Sequence, residues 1–453
     1  MGIATLILTQ AGGGPYIGPT CVPFQLTVTD TSWPLKSLII DWGDGGPSTA
    51  LDTNILVDGG NYLSHLYKSP GNYLAKLTLT DQDGSWTVNA GVILNAPATT
   101  YVVHQFYFSN SWSDQNLTGY ANGAFAASWS GISSFAISDG QHVFYVASDQ
   151  HVHQLYYNNS SWSDQDLTGY TNVSAVAYSG GAGISSFAIG DGQHVFYVAS
   201  DQHVHQLYYN NSSWSDQDLT SANGALAAAG SEISSFATSD GQHVFYVASD
   251  QHIHQLYYNN SSWIDQDLTS ANGALAVPGS GISSFAISDG QHVFYITSDQ
   301  HIHQLYYNNS SWIDQDLTSD TNGAVALPGS GISSFAISDG QHVFYVASNQ
   351  HVHQLYYNKS SWIDQDLTDY ASGGVAAYWA GGGISGFAIS DGQHVFYVAS
   401  NLHVHQLYYN NSSWIDQDLT DYASGGVAAP GNSMSSFAIS DGQHVYLLEL
   451  TPA

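Results

Sequence analysis

The sequence predicts an all-β chain: a β-rich N-terminal segment followed by a seven-bladed β-propeller. Three observations lead there. The phrase Asp-Gly-Gln-His begins seven times, at Asp139, Asp191, Asp240, Asp289, Asp339, Asp391 and Asp441, with spacings of 49 to 52 residues. The phrase His-Gln-Leu/Phe-Tyr also begins seven times, at His104, His153, His205, His254, His303, His353 and His405. Each unit of roughly 50 residues reads as four short strands, the content of one propeller blade.

Within a unit, 134–137 is short and alternating, and 143–147 is β-branched and aromatic. Residues 152–157 alternate, and 162–167 close the unit. Ser-Asp-Gly-Gln joins the first two strands, and Asp-Gly is a strong hairpin signal because both residues accept positive φ. Ser-Asp-Gln or Ser-Asn-Gln joins the second and third, and Asn-Asn-Ser-Ser the third and fourth. No helical periodicity of useful length is present. The array begins in mid-unit, with third and fourth strands at 101–107 and 112–117. It ends in mid-unit, with first and second strands at 435–439 and 445–450. The two halves add to one blade, so the ring is expected to close by a split blade, leaving no exposed sheet edge.

Residues 1–97 differ in composition. They hold Lys36, Lys68 and Lys76, three of the four lysines, and Cys21, the only cysteine. Asp44-Gly45 and Pro70-Gly71 read as turns between hydrophobic strands. "DWGDG" at 41–45, "HLYKSPGNY" at 65–73 and "LTLTDQDG" at 77–84 resemble a polycystic-kidney-disease (PKD) domain. That resemblance implies a small Ig-like β-sandwich, of a kind common beside carbohydrate-active and cell-surface modules. The expected division is 1–97 for the sandwich and 98–453 for the propeller, with "LNAPATT" at 94–100 as the linker.

Composition excludes several functions. The formal charge is −32, with four lysines and no arginine. Nucleic-acid binding needs cations against phosphate, and anionic membrane surfaces disfavour the chain for the same reason. No apolar run approaches transmembrane length, so no membrane insertion is expected. The N-terminus "MGIATLILTQAGGG" carries no clear signal peptide. Only 9% of residues are charged, which suits a secreted or surface-associated β protein. Nearly all the acid is aspartate, much of it in turns.

His-x-His on a strand places both imidazoles on one face. The pairs are His151/His153, His203/His205, His252/His254, His301/His303, His351/His353 and His403/His405; the first copy has Val102 instead. Two imidazoles and a carboxylate can hold zinc. No third ligand stands at a fixed spacing, however, so no metal and no cofactor are expected. No Gly-x-Ser-x-Gly elbow is present. Equivalent units throughout argue against one active site, so the chain is expected not to be an enzyme. The fourth strand opens with Trp112, Trp162, Trp214, Trp263, Trp312, Trp362 or Trp414, after a Tyr pair in most copies. Such a Trp serves either as packing between blades or as a stacking platform for a sugar ring.

The pattern "VFYVASDxHVHQLYYNxSSWxDQDLT" resembles the repeats of lectin-like bacterial and fungal propellers, the group that includes fucose-binding lectins. Those lectins use an arginine, a glutamate and a tryptophan per site. With no arginine and no recurring glutamate here, only the Trp carries over. The resemblance implies a multivalent, non-enzymatic binder of glycans or glycoconjugates. Its expected ligand residues are Trp162, Trp214, Trp263, Trp312, Trp362 and Trp414, with His151, His203, His252, His301, His351 and His403. The alternative is a rigid scaffold whose partners are other proteins. Ligand discrimination is expected in the variable connections, where Trp129, Tyr178 and Trp379 stand out.

Overall fold

A computed structural model describes residues 5–10, 16–17, 20–29, 36–44, 48–51, 61–67, 71–80, 85–95, 99–171, 177, 183–221, 224–269, 273–308, 310–376, 383–429, 431 and 433–452. The chain divides into two compact units, residues 1–99 with 452–453, and residues 100–451.

The first unit contains two sheets. One joins Thr5–Gln10, Thr20–Thr29 and Asn61–Tyr67. The other runs in the order Tyr16–Ile17, Ser85–Asn95, Gly71–Thr80, Ser37–Asp41, Thr49–Leu51. Its Ile40, Leu77 and Leu79 are buried on one face, as period-two alternation requires.

The second unit is built from four-stranded antiparallel sheets, seven among the described residues. In the 132–166 blade, Ile132–Ile137 pairs with Gly140–Val146, which pairs with Val152–Tyr157, which pairs with Trp162–Asp166. The Asp-Gly hairpin needs its glycine: Gly140 has φ 151° and lies so close to the Tyr157 carbonyl that a Cβ would overlap it. The split blade forms as expected, in the order Trp112–Asn116, Thr99–Phe108, Gly442–Pro452, Met434–Ile439. Thr100 and Thr451 hydroxyls meet at 3.0 Å across the join.

Innermost strands neighbour one another in cyclic order, Met434–Ile439 returning to Ile132–Ile137. Two polar belts tie the ring. In the inner belt the first serine of one blade bonds the second serine of the next: Ser133–Ser186, Ser185–Ser235, Ser234–Ser284, Ser283–Ser334, Ser385–Ser436 and Ser435–Ser134, all at 2.7–2.8 Å. Where Gly386 replaces a serine, its backbone N–H donates to Ser333 Oγ at 3.0 Å. In the outer belt a glutamine amide donates to a glutamine carbonyl of the next blade in all seven junctions, from Gln105→Gln141 to Gln406→Gln443, at 3.1–3.3 Å. Between these belts the sheets bury apolar faces against each other; Phe144, Val146 and Val152 of one blade meet Val195, Tyr197 and Leu207 of the next. Each such side chain stabilises the contact by about 1.5–3 kcal/mol.

Short helices accompany the strands, each five residues long, following the outer strand in five blades among the described residues: Leu117–Ala121, Leu167–Thr171, Leu317–Thr321, Leu367–Ala371 and Leu419–Ala423. They are too short to show periodicity and are held by caps instead. Asp316 accepts from Ser319 N–H, and Asn322 closes the helix in the left-handed conformation at φ 51°. Their leucines are fully buried, and Thr168 Oγ1 accepts the Val152 N–H. Among the described residues no helix is long and apolar enough to cross a membrane.

Candidate functional site

Adjacent blades leave clefts between them at the end that carries the Asp-Gly and Asn-Ser-Ser turns. One, of about 440 Å³, takes Asp289, His292, Gln304 and Tyr306 from one blade and Gln341, Tyr357, Ser361 and Trp362 from the next. Equivalent residues line clefts of about 410 Å³ beside Trp162 and about 390 Å³ beside Trp414. The composition of each is alike: four or five aromatic or imidazole rings, amides, hydroxyls and one or two carboxylates, with no cation.

The sequence builds this cleft from both phrases used to count the repeats. His142 is 2% exposed, sandwiched between Phe135 at 5.0 Å and Tyr156 at 4.9 Å. Gln154 Nε2 donates to His142 Nδ1 at 2.8 Å, so the remaining proton sits on Nε2, which donates to Asp139 Oδ1 at 2.9 Å. The second proton of that amide goes to Gln193 of the next blade. The Tyr156 hydroxyl donates to the Asp139 carbonyl. Burial lowers the pKa of His142, against the opposing pull of Asp139. The same direction and cause hold at His194, His243, His292, His342, His394 and His444.

Trp occupies both roles weighed from sequence. It packs: Trp214 is 8% exposed, meets Phe144 of the preceding blade edge-on at 6.3 Å and tilts on Tyr209 at 5.2 Å. Trp263, Trp312, Trp362 and Trp414 repeat that geometry at 6.0–6.3 Å. It also lines the cleft, as Trp162, Trp362 and Trp414 do.

The expected partnership of this Trp with His151, His203, His252, His301, His351 and His403 is corrected. Tyr157 stands opposite Trp162, whereas His153 stands opposite Asp166, four residues along the same strand pair. That separation is about 13 Å. The imidazole in the cleft is His142 or its equivalent, which sequence reasoning used only as a marker. Its signal was the fixed Asp-x-x-His spacing, which a hairpin converts into a hydrogen-bond distance. Of the variable-loop aromatics, Tyr178 and Trp379 lie outside the described residues, and the Trp129 ring rests against Gly431.

At the opposite end of the blade, His151 Nδ1 donates to Asp166 Oδ2 at 2.7 Å, and the same 2.7–2.8 Å pair recurs at His203, His252, His301, His351 and His403. His153 Nδ1 donates to Asp164 Oδ2 at 2.8 Å, and the Tyr145 hydroxyl donates to Asp164 Oδ1 at 3.0 Å. Burial and the Asp164 charge hold that phenol protonated far above its ordinary range. Burial works to lower the His153 pKa, but Asp164, Asp149 and Asp166 outweigh it and leave it raised; His205 and His254 behave alike.

Fold and site together define a closed propeller with polar, aromatic clefts repeated at its blade junctions. No family model matches the chain, and no curated protein matches it. Solved structures do. The lectin BP39L from Burkholderia pseudomallei is similar with a TM-score of 0.55 at 14% identity, over 72% of this chain and 98% of that one. A fucose-specific lectin from Aleuria aurantia gives 0.46 at 17% identity, over 64% and 95%. AofleA from Arthrobotrys oligospora gives 0.47 at 12% identity, over 77% and 92%. The likeness to BP39L is one of fold.

Proposed function

We propose that the protein is a non-enzymatic, multivalent lectin that binds neutral glycans in its inter-blade clefts. The observation that carries this reading is the repeated cleft lining of indole, phenol rings, amides, hydroxyls and one or two carboxylates, in volumes of about 390–440 Å³. An aromatic ring suits the apolar C–H face of a sugar, and fixed amides and hydroxyls orient its hydroxyl groups. The ligand residues are then Trp162, Trp214, Trp263, Trp312, Trp362 and Trp414, with the neighbouring Tyr and Gln. The lectin named from Burkholderia pseudomallei shares the fold and supports the class.

Charge narrows the ligand. Each described cleft carries an aspartate and no cation, on a chain of formal charge −32. Sialylated and sulfated glycans are repelled by that field. The fucose-lectin set of arginine and glutamate is missing, so the sugar is held by a different polar set. The N-terminal unit is a PKD-like sandwich, and the protein is secreted or surface-associated.

A glycan array with neutral, sialylated and sulfated members tests this. Binding confined to neutral glycans is the expected result. A folded parent that binds no neutral glycan removes the reading and leaves the scaffold alternative, with proteins as partners.

A further inference from the structure

The end of each blade opposite the Trp cleft carries a second constellation, which the glycan reading does not use. In the 132–166 blade, Asp149, His151, His153 and Asp166 each bring one donor atom within 4.8 Å of the others. His301, His303 and Asp316 do so in the 282–316 blade, and Asp250, His254 and Asp267 in the 233–267 blade. We propose that the six blades with a His-x-His pair bind divalent transition-metal ions of the zinc class at this end. This goes against the sequence expectation of no metal.

Three observations carry it. The first is a bare, buried nitrogen. His254 is 6% exposed, and its Nδ1 is spent on Asp265 at 3.1 Å. That hydrogen bond places the proton on Nδ1 and leaves Nε2 as a lone pair. The His254 Nε2 is buried with no hydrogen-bond partner, as are the Nε2 atoms of His205 and His405. A carboxylate on the far nitrogen is the arrangement that orients metal-ligating histidines.

The second is spacing. His254 Nε2 lies 3.9 Å from Asp250 Oδ2 and 3.9 Å from Asp267 Oδ2. Elsewhere the buried nitrogen stands 3.3 Å from Asp149, 3.8 Å from Asp316, 3.5 Å from Asp366 and 3.5 Å from Asp418. Most of these exceed a good hydrogen bond. Two ligands bound tetrahedrally to one zinc at about 2.0–2.1 Å stand roughly 3.3 Å apart, so small side-chain rotations close the site. A lone pair facing two anionic oxygens is repelled unless a proton or a metal cation lies between them, and the metal test below separates the two.

The third is compensation between blades. Asp149 serves its turn through Oδ1, which accepts the His151 N–H at 3.0 Å; Asn349 and Asn401 do the same for His351 and His403 at 3.0 Å. The turn therefore needs only an Asx oxygen. Yet the two blades that carry Asn there are the two that carry Asp at the helix position held by Gly169 and Ser319 elsewhere. Those residues, Asp369 and Asp421, approach His351 and His403 Nδ1 to 3.6 Å. A carboxylate lost from one side of the His pair is regained from another, which a turn requirement does not explain. The site is also reachable: the His151 side chain is 31% exposed and the Asp149 side chain 48%.

The test uses the full chain, stripped with chelator, dialysed against Zn²⁺ and analysed for bound metal after gel filtration. Uptake near six ions per chain is expected, one for each His-x-His pair. Co²⁺ in place of Zn²⁺ is expected to give the visible absorption of a four-coordinate site with nitrogen and oxygen ligands. Replacing His151, His203, His252, His301, His351 and His403 by Gln leaves the backbone turn bonds in place and is expected to reduce both signals, and replacing His153, His205, His254, His303, His353 and His405 as well is expected to abolish them, with circular dichroism reporting the fold. Retention of less than one Zn²⁺ per parent chain overturns the proposal and makes the buried imidazoles simple partners of the carboxylates. A folded sixfold variant that takes up as much metal as the parent overturns it equally.

Discussion

Seven buried imidazoles should make the propeller acid-labile well above the pKa of its carboxylates. His142 and its six equivalents have folded-state pKa values lowered by burial. Below about pH 6.5 the unfolded chain therefore binds more protons than the folded one. Stability is fully present above that pH and is lost as pH falls from 6.5 toward the folded-state values. Geometry explains the resistance: Gln154 Nε2 already points a proton at His142 Nδ1, so a second proton there breaks the bond and disturbs the Gln154–Gln193 bridge. Two carboxyls act in the opposite direction, the buried Glu449 raised to about 9 and the half-buried Glu232 to about 7 by desolvation. They take up a proton on folding in this window and offset two of the seven histidines. At the limit where all seven histidines stay neutral in the fold and are fully protonated in the unfolded chain, five protons net set an upper bound on the slope of about 7 kcal/mol per pH unit. His153, His205 and His254, with raised pKa values, lose their stabilisation only as pH rises above 6.5 and leave this window unchanged. Urea unfolding of metal-free protein at pH 7.5, 6.5 and 5.5, followed by tryptophan fluorescence, reads the slope. His292→Gln should remove one proton from the linkage, lowering the slope by about 1.4 kcal/mol per unit. An unfolding free energy that is flat or rises from pH 6.5 to 5.5 refutes the reasoning.

Other outcomes follow from the same structure. Mild acid should promote association before unfolding: with the seven buried imidazoles neutral, protonating the other 14 of 21 histidines takes the formal charge from −32 to −18. Light scattering that stays flat between pH 7 and 5 rules this out. Deleting residues 1–118 removes Thr99–Phe108 and Trp112–Asn116, leaving Gly442–Pro452 as an open edge. Chromatography should show oligomers and calorimetry a lower melting temperature; a monomer that melts as the parent does contradicts ring closure by the split blade. Trp263→Ala should cost little avidity, because one weak site of ~1 mM contributes little to an avidity that exceeds it by about 10²–10⁴-fold. It should cost up to about 3 kcal/mol of stability, because Trp263 also packs on Phe196 at 6.0 Å. Replacing Trp162, Trp214, Trp263, Trp312, Trp362 and Trp414 with Phe keeps a packing ring and should abolish binding to a glycan-coated surface. Undiminished binding by that variant, still folded, disproves the indole's role.

Much of the architecture was legible because period-two alternation and turn residues are local signals. The strand spans, the hairpins and the split blade follow from composition at fixed spacing. The short helices were not legible, since five residues hold less than two turns and a cap such as Asp316 looks like any strand-end aspartate. The site was legible in part. Trp162 could be placed on the fourth strand from its spacing alone. Its imidazole partner could not, because His142 reaches the cleft only through the hairpin register that sets it between Phe135 and Tyr156. The same holds for the third ligands of the His pair. Asp166 stands opposite His153 across two strands, a relation that exists only once the register is known.

Sameness among the repeats hides function as well as structure. When seven units share a residue, recurrence cannot separate a ligand from a packing contact, because recent duplication preserves both. Departures are more informative. Gly386 replaces a belt serine, and its own backbone N–H takes over the hydrogen bond, so that position serves closure of the ring. Asn349 and Asn401 keep the turn bond of Asp149 but lose its charge, and Asp369 and Asp421 restore a carboxylate beside the imidazole. In the closing blade Val102 removes the first His and Glu449 comes within 3.2 Å of His104 Nδ1. The two blade ends therefore answer to different demands. At the Trp end the described clefts keep one lining with little change, as a set of equivalent weak sites requires. At the His end the residues vary, and where Asn349 and Asn401 lose a carboxylate Asp369 and Asp421 supply one beside the same imidazole, as a site for a cation requires.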